Sequence, residues 1–434
     1  MIEILKTLIL DFIEAPLETG VSRRIDIEPI PGKATVCVGV RRCGKSTYMF
    51  QVMQGLVNRG IPRENILYLN FFDDRLHDLQ HEGLGTVIEA YYSLYPNKKN
   101  TEKVYYFFDE IQMISGWEPF VDRLQRTENC EIYITGSSAN LLSKEIATQM
   151  RGRALSWEMF PFSFKEYLDY KGINITPTLS TKKRYLVRKA FEEYWQAGGF
   201  PEVAGLNQNL RIKIHQEYFQ AILFRDLVER HDISHPKAVM DLAYRLIDTT
   251  ASLYSINSLT GYLQSLSHKA PKSAVAAYVD WFEDAYFLFT VRVFDASLTR
   301  SKSAPKKIYC IDHAFVTSVS SGILLNSGHL LENLVFMALR RISPLVYYYK
   351  TKGGREVDFI IQTQDRTRTL VQVCESIANE QTRKREIVAL NEAMTELGLN
   401  SSFIVTRNEE KQLKIEDKTI NIVPIWRFLI DFPL

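Results

Sequence analysis

Cysteine is scarce in this chain: Cys37, Cys43, Cys130, Cys310 and Cys374 are odd in number and far apart. No pair has zinc-ligand or redox spacing, which excludes a disulfide-stapled scaffold and points to a reducing, cytoplasmic setting. Long apolar runs are missing too. No uncharged stretch approaches the roughly 20 residues needed to cross a bilayer, so no membrane partner is expected. The opening MIEILKTLILDFIEAP imitates a leader, but Glu3 and Lys6 interrupt it. Its Ile4, Leu5, Leu8 and Phe12 recur at helical spacing and read as an amphipathic helix. Neither charge sign dominates: the formal net charge is +2, which leaves a local nucleic-acid surface open. Internal repeats and low-complexity tracts are absent as well.

What is present is a globular composition, 46% apolar and 24% charged, with 24 Phe and 22 Tyr to build cores. At 434 residues the chain is expected to hold two to four domains. The apolar run ATVCVG ends in Gly39, and Lys45 to Arg59 carries Met49, Val52, Met53, Leu56 and Val57 on one helical face. Further apolar strands are expected at 66–71, 104–108 and 132–135. Strands of this kind alternating with helices predict a mostly parallel α/β sheet. Beyond about residue 165 the pattern turns helical. Helices at 238–249, 258–266 and 271–285, then strands at 287–294 and 307–311, follow the order of a winged helix-turn-helix. A third, smaller α/β unit is expected from about 328. The expected divisions are 1–165, 166–235 (a helical connector), 236–318 and 319–434.

Gly39-Val40-Arg41-Arg42-Cys43-Gly44-Lys45-Ser46 matches G-x-x-x-x-G-K-S, with a strand before it and a helix after. In such a loop the backbone amides turn around phosphates and the helix N-terminus adds its dipole. Lys45 is expected on the β- and γ-phosphate oxygens and Ser46 on Mg²⁺, so ATP and Mg²⁺ are the expected cofactors; Thr47 closes the binding segment. The strand Tyr105 to Phe108 delivers Asp109 to the metal shell, and Glu110 follows, placed to orient or deprotonate water. At the tip of the last strand, Thr135-Gly136-Ser137-Ser138-Ala139-Asn140, Ser137 is the expected reporter on the γ-phosphate, with Asn140 the fallback and a plain helix cap the alternative. Arg151 or Arg153 is either an arginine finger, in cis or from a neighbouring subunit, or a surface cation.

At GVRRCGKST, YFFDEIQ, ITGSSANLLS, RGR, FPFSFKEYL, AGGFPEV, FRDLVERH, KKIYCID, ENLVFMALRR and GGREVDFII the chain resembles a bacterial and archaeal family of AAA-like P-loop ATPases. These segments run through nearly the whole chain in order. The resemblance implies an additional-strand, catalytic-glutamate ATPase core, a winged-helix segment and a restriction-endonuclease-like tail. Active nucleases of that last fold use a helix Glu, a strand Asp and an acid-x-Lys on the next strand. Glu332 and Asp358 match the first two, and Glu356 shares the face of Asp358 by strand alternation. The third element reads Gln372-Val373-Cys374, without acid or lysine, and alternation turns Glu375 to the opposite face. A tail that does not cut is therefore expected.

Lys269 and Lys272 flank the expected recognition helix, and Arg300, Lys302, Lys306 and Lys307 sit in or beside the wing. They fit contact with duplex DNA or, equally, a charged loop of a domain packed against its neighbours. Arg225, Asp226, Glu229 and Arg230 have the helical spacing of an ion-pair network. The reading that follows is a Mg²⁺-dependent ATPase whose nucleotide state controls an attached winged helix and a degenerate nuclease-like domain. Its rivals are an ATP-regulated nuclease and a non-hydrolysing switch that binds a protein partner or itself.

Overall fold

The computed structural model describes residues 1–136, 150, 152–233, 235–322 and 326–432. It divides into two compact units, Met1–Phe160 with Asp284–Tyr286, and Pro161–Glu283 with Phe287–Leu434.

The first unit is built on strands β1 (Ala34–Val38), β2 (Ile66–Asn70), β3 (Val104–Asp109), β4 (Cys130–Gly136) and β5 (Ala154–Glu158), in the order β2-β3-β4-β1-β5. Every neighbouring pair is parallel. All residues of β1 and β3 are buried, which is why both read as unbroken apolar runs. The sequence reading lacks β5. Its residues Ala-Leu-Ser-Trp-Glu mix polar and apolar side chains and are all half-buried, as an edge strand permits. On one face Met49, Met53 and Leu56, from the helix Lys45–Asn58, pack with Ile66, Tyr105, Phe107 and Tyr133. The opening residues do form a helix, Ile2–Glu14, with Leu5 and Ile9 buried.

In the second unit, helices Pro236–Asp248, Ile256–Ser265 and Lys272–Asp284 precede a small antiparallel sheet. That sheet has the order β6-β8-β7, with β6 Leu253–Tyr254, β7 Leu288–Val291 and β8 Lys306–Cys310. The connection between β7 and β8 is no open loop: Leu298–Ser303 is a short helix capped by Ser297. Upstream, Gly199 N–H donates to Asp312 Oδ2 at 2.6 Å, which ties the GGFPEV turn to the KKIYCID segment. Asp312 also caps the helix His313–Val319. The residues Ile222–Glu229, which include Arg225, Asp226 and Glu229, form a π-helix and not the α-helix expected there.

The largest sheet runs β13-β14-β12-β11-β10-β9, with β9 Val346–Lys350, β10 Glu356–Gln362, β11 Arg368–Val373, β12 Ser401–Thr406, β13 Lys411–Ile415 and β14 Lys418–Pro424. The helix Glu380–Leu397 covers one face through Ala389, Leu390, Ala393 and Met394, against Val357, Ile360, Leu370 and Ile404. Two seams tie the smaller sheet to the C-terminal region, one at the large sheet and one at the helix Ser327–Arg340. Tyr348 N–H donates to Arg292 O at 3.0 Å, and Phe294 N–H to Tyr348 O at 2.7 Å. Asn333, on the helix Ser327–Arg340, accepts from Cys310 N–H at 2.7 Å and donates to Cys310 O at 3.0 Å.

Candidate functional site

The parallel sheet of the first unit gathers the phosphate-loop residues and the two acids at one edge. β1 ends at Val38, and the loop then runs from Gly39 to Gly44 before the helix begins at Lys45. Gly44 has φ +101°, a left-handed conformation that glycine adopts without penalty. At Gly39 a Cβ would stand 2.0 Å from the Met159 carbonyl oxygen, so the loop passes too close to that backbone for any side chain. The first intrahelical bond is Tyr48 N–H to Gly44 O at 3.0 Å. The amides of Lys45, Ser46 and Thr47 therefore have no carbonyl within the helix, and they face outward at the positive end of its dipole.

Lys45 is buried, and its ammonium folds over its own loop, donating to Gly39 O at 3.0 Å and Val40 O at 3.2 Å. Its Nζ is 3.9 Å from Glu110 Oε1. Burial alone lowers the lysine pKa, but Cys43, Glu110, Cys37 and Asp109 outweigh it and hold the group above the ordinary value. The ammonium stays charged. Ser46 and Thr47 are half-buried beside it, Cys43 is fully buried, and the Arg41 guanidinium lies 5.3 Å from the ring centre of Phe72.

Asp109 closes β3 and Glu110 follows with φ +56°. Between β1 and β3 lies β4, whose Thr135 pairs in register with Cys37 of β1. The Thr135 hydroxyl donates to Asp109 Oδ1 and accepts from Glu110 N–H at 3.2 Å. Tyr68 OH donates to the other oxygen, Asp109 Oδ2, at 3.0 Å. Gln112 donates to Glu110 Oε2. Both acids are thus held by neighbours on two sides, Asp109 at 1% exposure and Glu110 at 9%.

Behind the loop, Arg23 donates to Cys43 O and to Phe160 O, both at 2.6 Å. Gln51 holds the same strap, donating to Thr19 O and Val21 O at 2.6 Å each. No motif marks Arg23, Tyr68 or Thr135 as site residues. Thr135 lies in the strand-tip segment, two residues before Ser137.

Ser137, Asn140 and Arg151 lie outside the described residues. Arg153 lies at the opposite end of β1 from the phosphate loop. Ala34 N–H donates to Arg153 O at 2.8 Å, at the start of β1. At about 3.3 Å per residue, β1 separates Arg153 from the loop by roughly 16 Å. Its guanidinium pairs with Asp122 Oδ1 at 2.7 Å. Arg153 is not a finger for its own phosphate loop.

In the second unit the helix acid Glu332 and the strand acid Asp358 do come together, with Glu356. Gln372 Oε1 accepts from Asp358 N–H at 3.1 Å. Cys374 is half-buried, and burial, with Glu386, Glu409 and Asp358, pushes its thiol up to about 12, so it brings no charge. The expectation that this cluster has no lysine is overturned: Lys307 fills it, 3% exposed. Lys307 is consequently not a surface contact of the wing.

The sheet order, with one strand inserted between the phosphate loop and the acid-bearing strand, defines a P-loop nucleotide-binding domain of the additional-strand class. Residues 31–168 match the family model of an AAA domain. Residues 188–324 and 327–428 match two domains of unknown function, DUF8612 and DUF4143. The chain is 35% identical to "Uncharacterized protein MJ1544" of Methanocaldococcus jannaschii, over 98% of this chain and 94% of that one. It is 30% identical to an uncharacterized protein of Haemophilus influenzae, over 76% and 80% respectively. Among solved structures, the Aeropyrum pernix ORC2 protein in its ADP form is similar at 12% identity and TM-score 0.32, covering 79% of this chain and 94% of that one. The chain belongs to the family of the Methanocaldococcus protein: an AAA-like P-loop ATPase domain followed by C-terminal domains of unknown function. Among the described residues no helix is long and apolar enough to cross a membrane.

Proposed function

We propose that the chain hydrolyses ATP with Mg²⁺, and that its nucleotide state controls the C-terminal domains. The observation that carries this reading is the approach of Lys45 to Glu110, 3.9 Å apart, with Asp109 alongside and free helix-terminal amides beyond. The donor set suits Mg·ATP. The amides of the loop Gly39 to Gly44, with those of Lys45, Ser46 and Thr47, would hold phosphate oxygens, and Lys45 would reach the β- and γ-phosphates. Ser46 and Asp109 would hold Mg²⁺, which neutralises charge building on the leaving phosphate. Glu110 would orient the attacking water and take its proton, and Ser137 would report on the γ-phosphate. Arg41, Arg42 and Cys43 shape the loop between the two glycines.

The three helices and small sheet of residues 236–311 support a winged helix that meets duplex DNA, on exposed Lys269, Lys272, Arg300 and Lys302. The tail is a nuclease-like fold that does not cut: Gln372 and Cys374 supply neither acid nor cation, and the cluster's lysine, Lys307, is paired with Glu332, Glu356 and Asp358. Phosphate release, measured with and without Mg²⁺ and with and without duplex DNA, tests the central claim. Mg²⁺-dependent release is expected, with DNA changing its rate. Tight ATP binding without release would select the non-hydrolysing switch, and DNA cleavage that stops in Asp358→Ala the nuclease.

A further inference from the structure

The charged cluster of the second unit has an arrangement that the ATPase reading leaves unused. Lys307 Nζ lies 2.9 Å from Glu332 Oε1, 2.9 Å from Glu356 Oε1 and 3.0 Å from Asp358 Oδ1. The ammonium donates hydrogen bonds to Glu332 and Asp358 and is ion-paired with Glu356 as well. The lysine comes from β8 of the small sheet, whereas its partners come from the helix Ser327–Arg340 and from β10. Tyr309, two residues along β8, donates to the same Glu332 oxygen at 2.6 Å. Asp358 Oδ2 accepts from Val373 N–H at 3.0 Å.

One ammonium does not balance three carboxylates. Burial lowers the lysine pKa, but Asp358, Tyr309, Glu332 and Glu356 overcome it and hold Lys307 well above the ordinary value. A divalent cation would balance the cluster better. It would bind the same three oxygens at about 2.0–2.6 Å, the range from Mg²⁺ to Ca²⁺. Nζ stands within 3.0 Å of all three oxygens, so an ion seated among them would meet the ammonium, and lysine and metal exclude one another.

We propose that Lys307 is the resident cation of this three-carboxylate site, seated where a divalent metal ion would otherwise bind and closing the site to it. Unlike a metal, this cation is tethered to the small sheet and leaves neither by dilution nor by chelation. The proposal is independent of ATP hydrolysis in the first unit.

Mn²⁺ is the probe, titrated into the nucleotide-free full chain at about pH 8 and followed by the loss of its free electron-spin signal. Every chain tested carries Asp109→Asn, which silences the phosphate-loop site. With Lys307 in place, no saturable binding is expected. Lys307→Ala should create one site, with affinity at least about tenfold above that background. Adding Asp358→Asn should remove that site. A folded Lys307→Ala chain that gains no Mn²⁺ site overturns the proposal. If that variant does not fold, the lysine-containing chain still decides. Saturable Mn²⁺ binding that Asp358→Asn abolishes would show the site open despite Lys307, whereas no such binding upholds the closed site.

Discussion

The hydroxyl of Thr135 joins the two acids of the nucleotide site, donating to the Asp109 carboxylate and accepting from the Glu110 amide. All three residues are buried, so the hydroxyl has no water to replace either partner. Thr135→Val keeps the shape and deletes both bonds. Leaving a buried polar group unpaired costs about 1–3 kcal/mol, so the variant should lose that much stability and much of its Mg²⁺-dependent turnover. Thr135→Ser should retain both. Denaturant melts and phosphate release on the pair decide it; a valine variant that behaves as the parent would show that the bridge has no role.

Separate tasks for the neighbouring acids predict separate phenotypes. Glu110→Gln should still bind ATP but lose turnover by about 10²–10⁴, the usual worth of general-base catalysis. Asp109→Asn should weaken Mg²⁺-dependent binding as well. Lys45→Ala should lose both binding and hydrolysis. Nucleotide affinity measured beside turnover separates the three, and identical behaviour of the two acid variants would dissolve the distinction.

DNA contact predicts steep dependence on salt. Each phosphate contact contributes about 0.9 to the slope of log affinity against log salt. Replacing Lys269, Lys272, Arg300 and Lys302 together with Gln should flatten that slope by roughly 2–4. Lys307 is kept out of the set because it is buried among carboxylates. A protein that holds no duplex even at low salt would give these cations a packing role.

His215 and His313 predict the acid limit of stability. Each is buried, and burial lowers each pKa below the ordinary 6.5. The unfolded chain therefore binds these protons more readily than the folded one. Their contribution is complete above about pH 6.5 and is lost as pH falls through the lowered folded values. His215 packs against Phe200 and Phe315, so His215→Phe keeps an aromatic ring and removes the titration. The melting temperature of this variant should fall less than that of the parent between pH 7 and 5. Parallel curves would exclude His215 as a source of the acid sensitivity.

Local pattern carried much of this architecture. An apolar strand, a glycine loop and a helix follow one another within 25 residues, so the phosphate loop is legible without tertiary information. Asp109 and Glu110 are legible for the same reason, at the end of an apolar run. Period-two alternation also put Glu356 and Asp358 on one face, and both do meet Lys307. What stayed hidden depends on partners distant in sequence. Arg23 bonds Phe160 across 137 positions, and nothing around either residue encodes the other. Lys307 follows Lys306 at the start of β8, and no local pattern marks which lysine turns inward. The edge strand β5 has no apolar run to announce it.

The seam at Tyr348 bears on how the C-terminal region works. Its amide and carbonyl continue the small sheet into the large one, and its hydroxyl reaches Pro305 O at 2.6 Å. A hairpin sutured to its neighbour in this way is no loose flap. A displacement of the small sheet would have to carry Tyr348 with it or break these three bonds. Excising the three helices and hairpin for transplant would leave raw backbone on both sides of the cut.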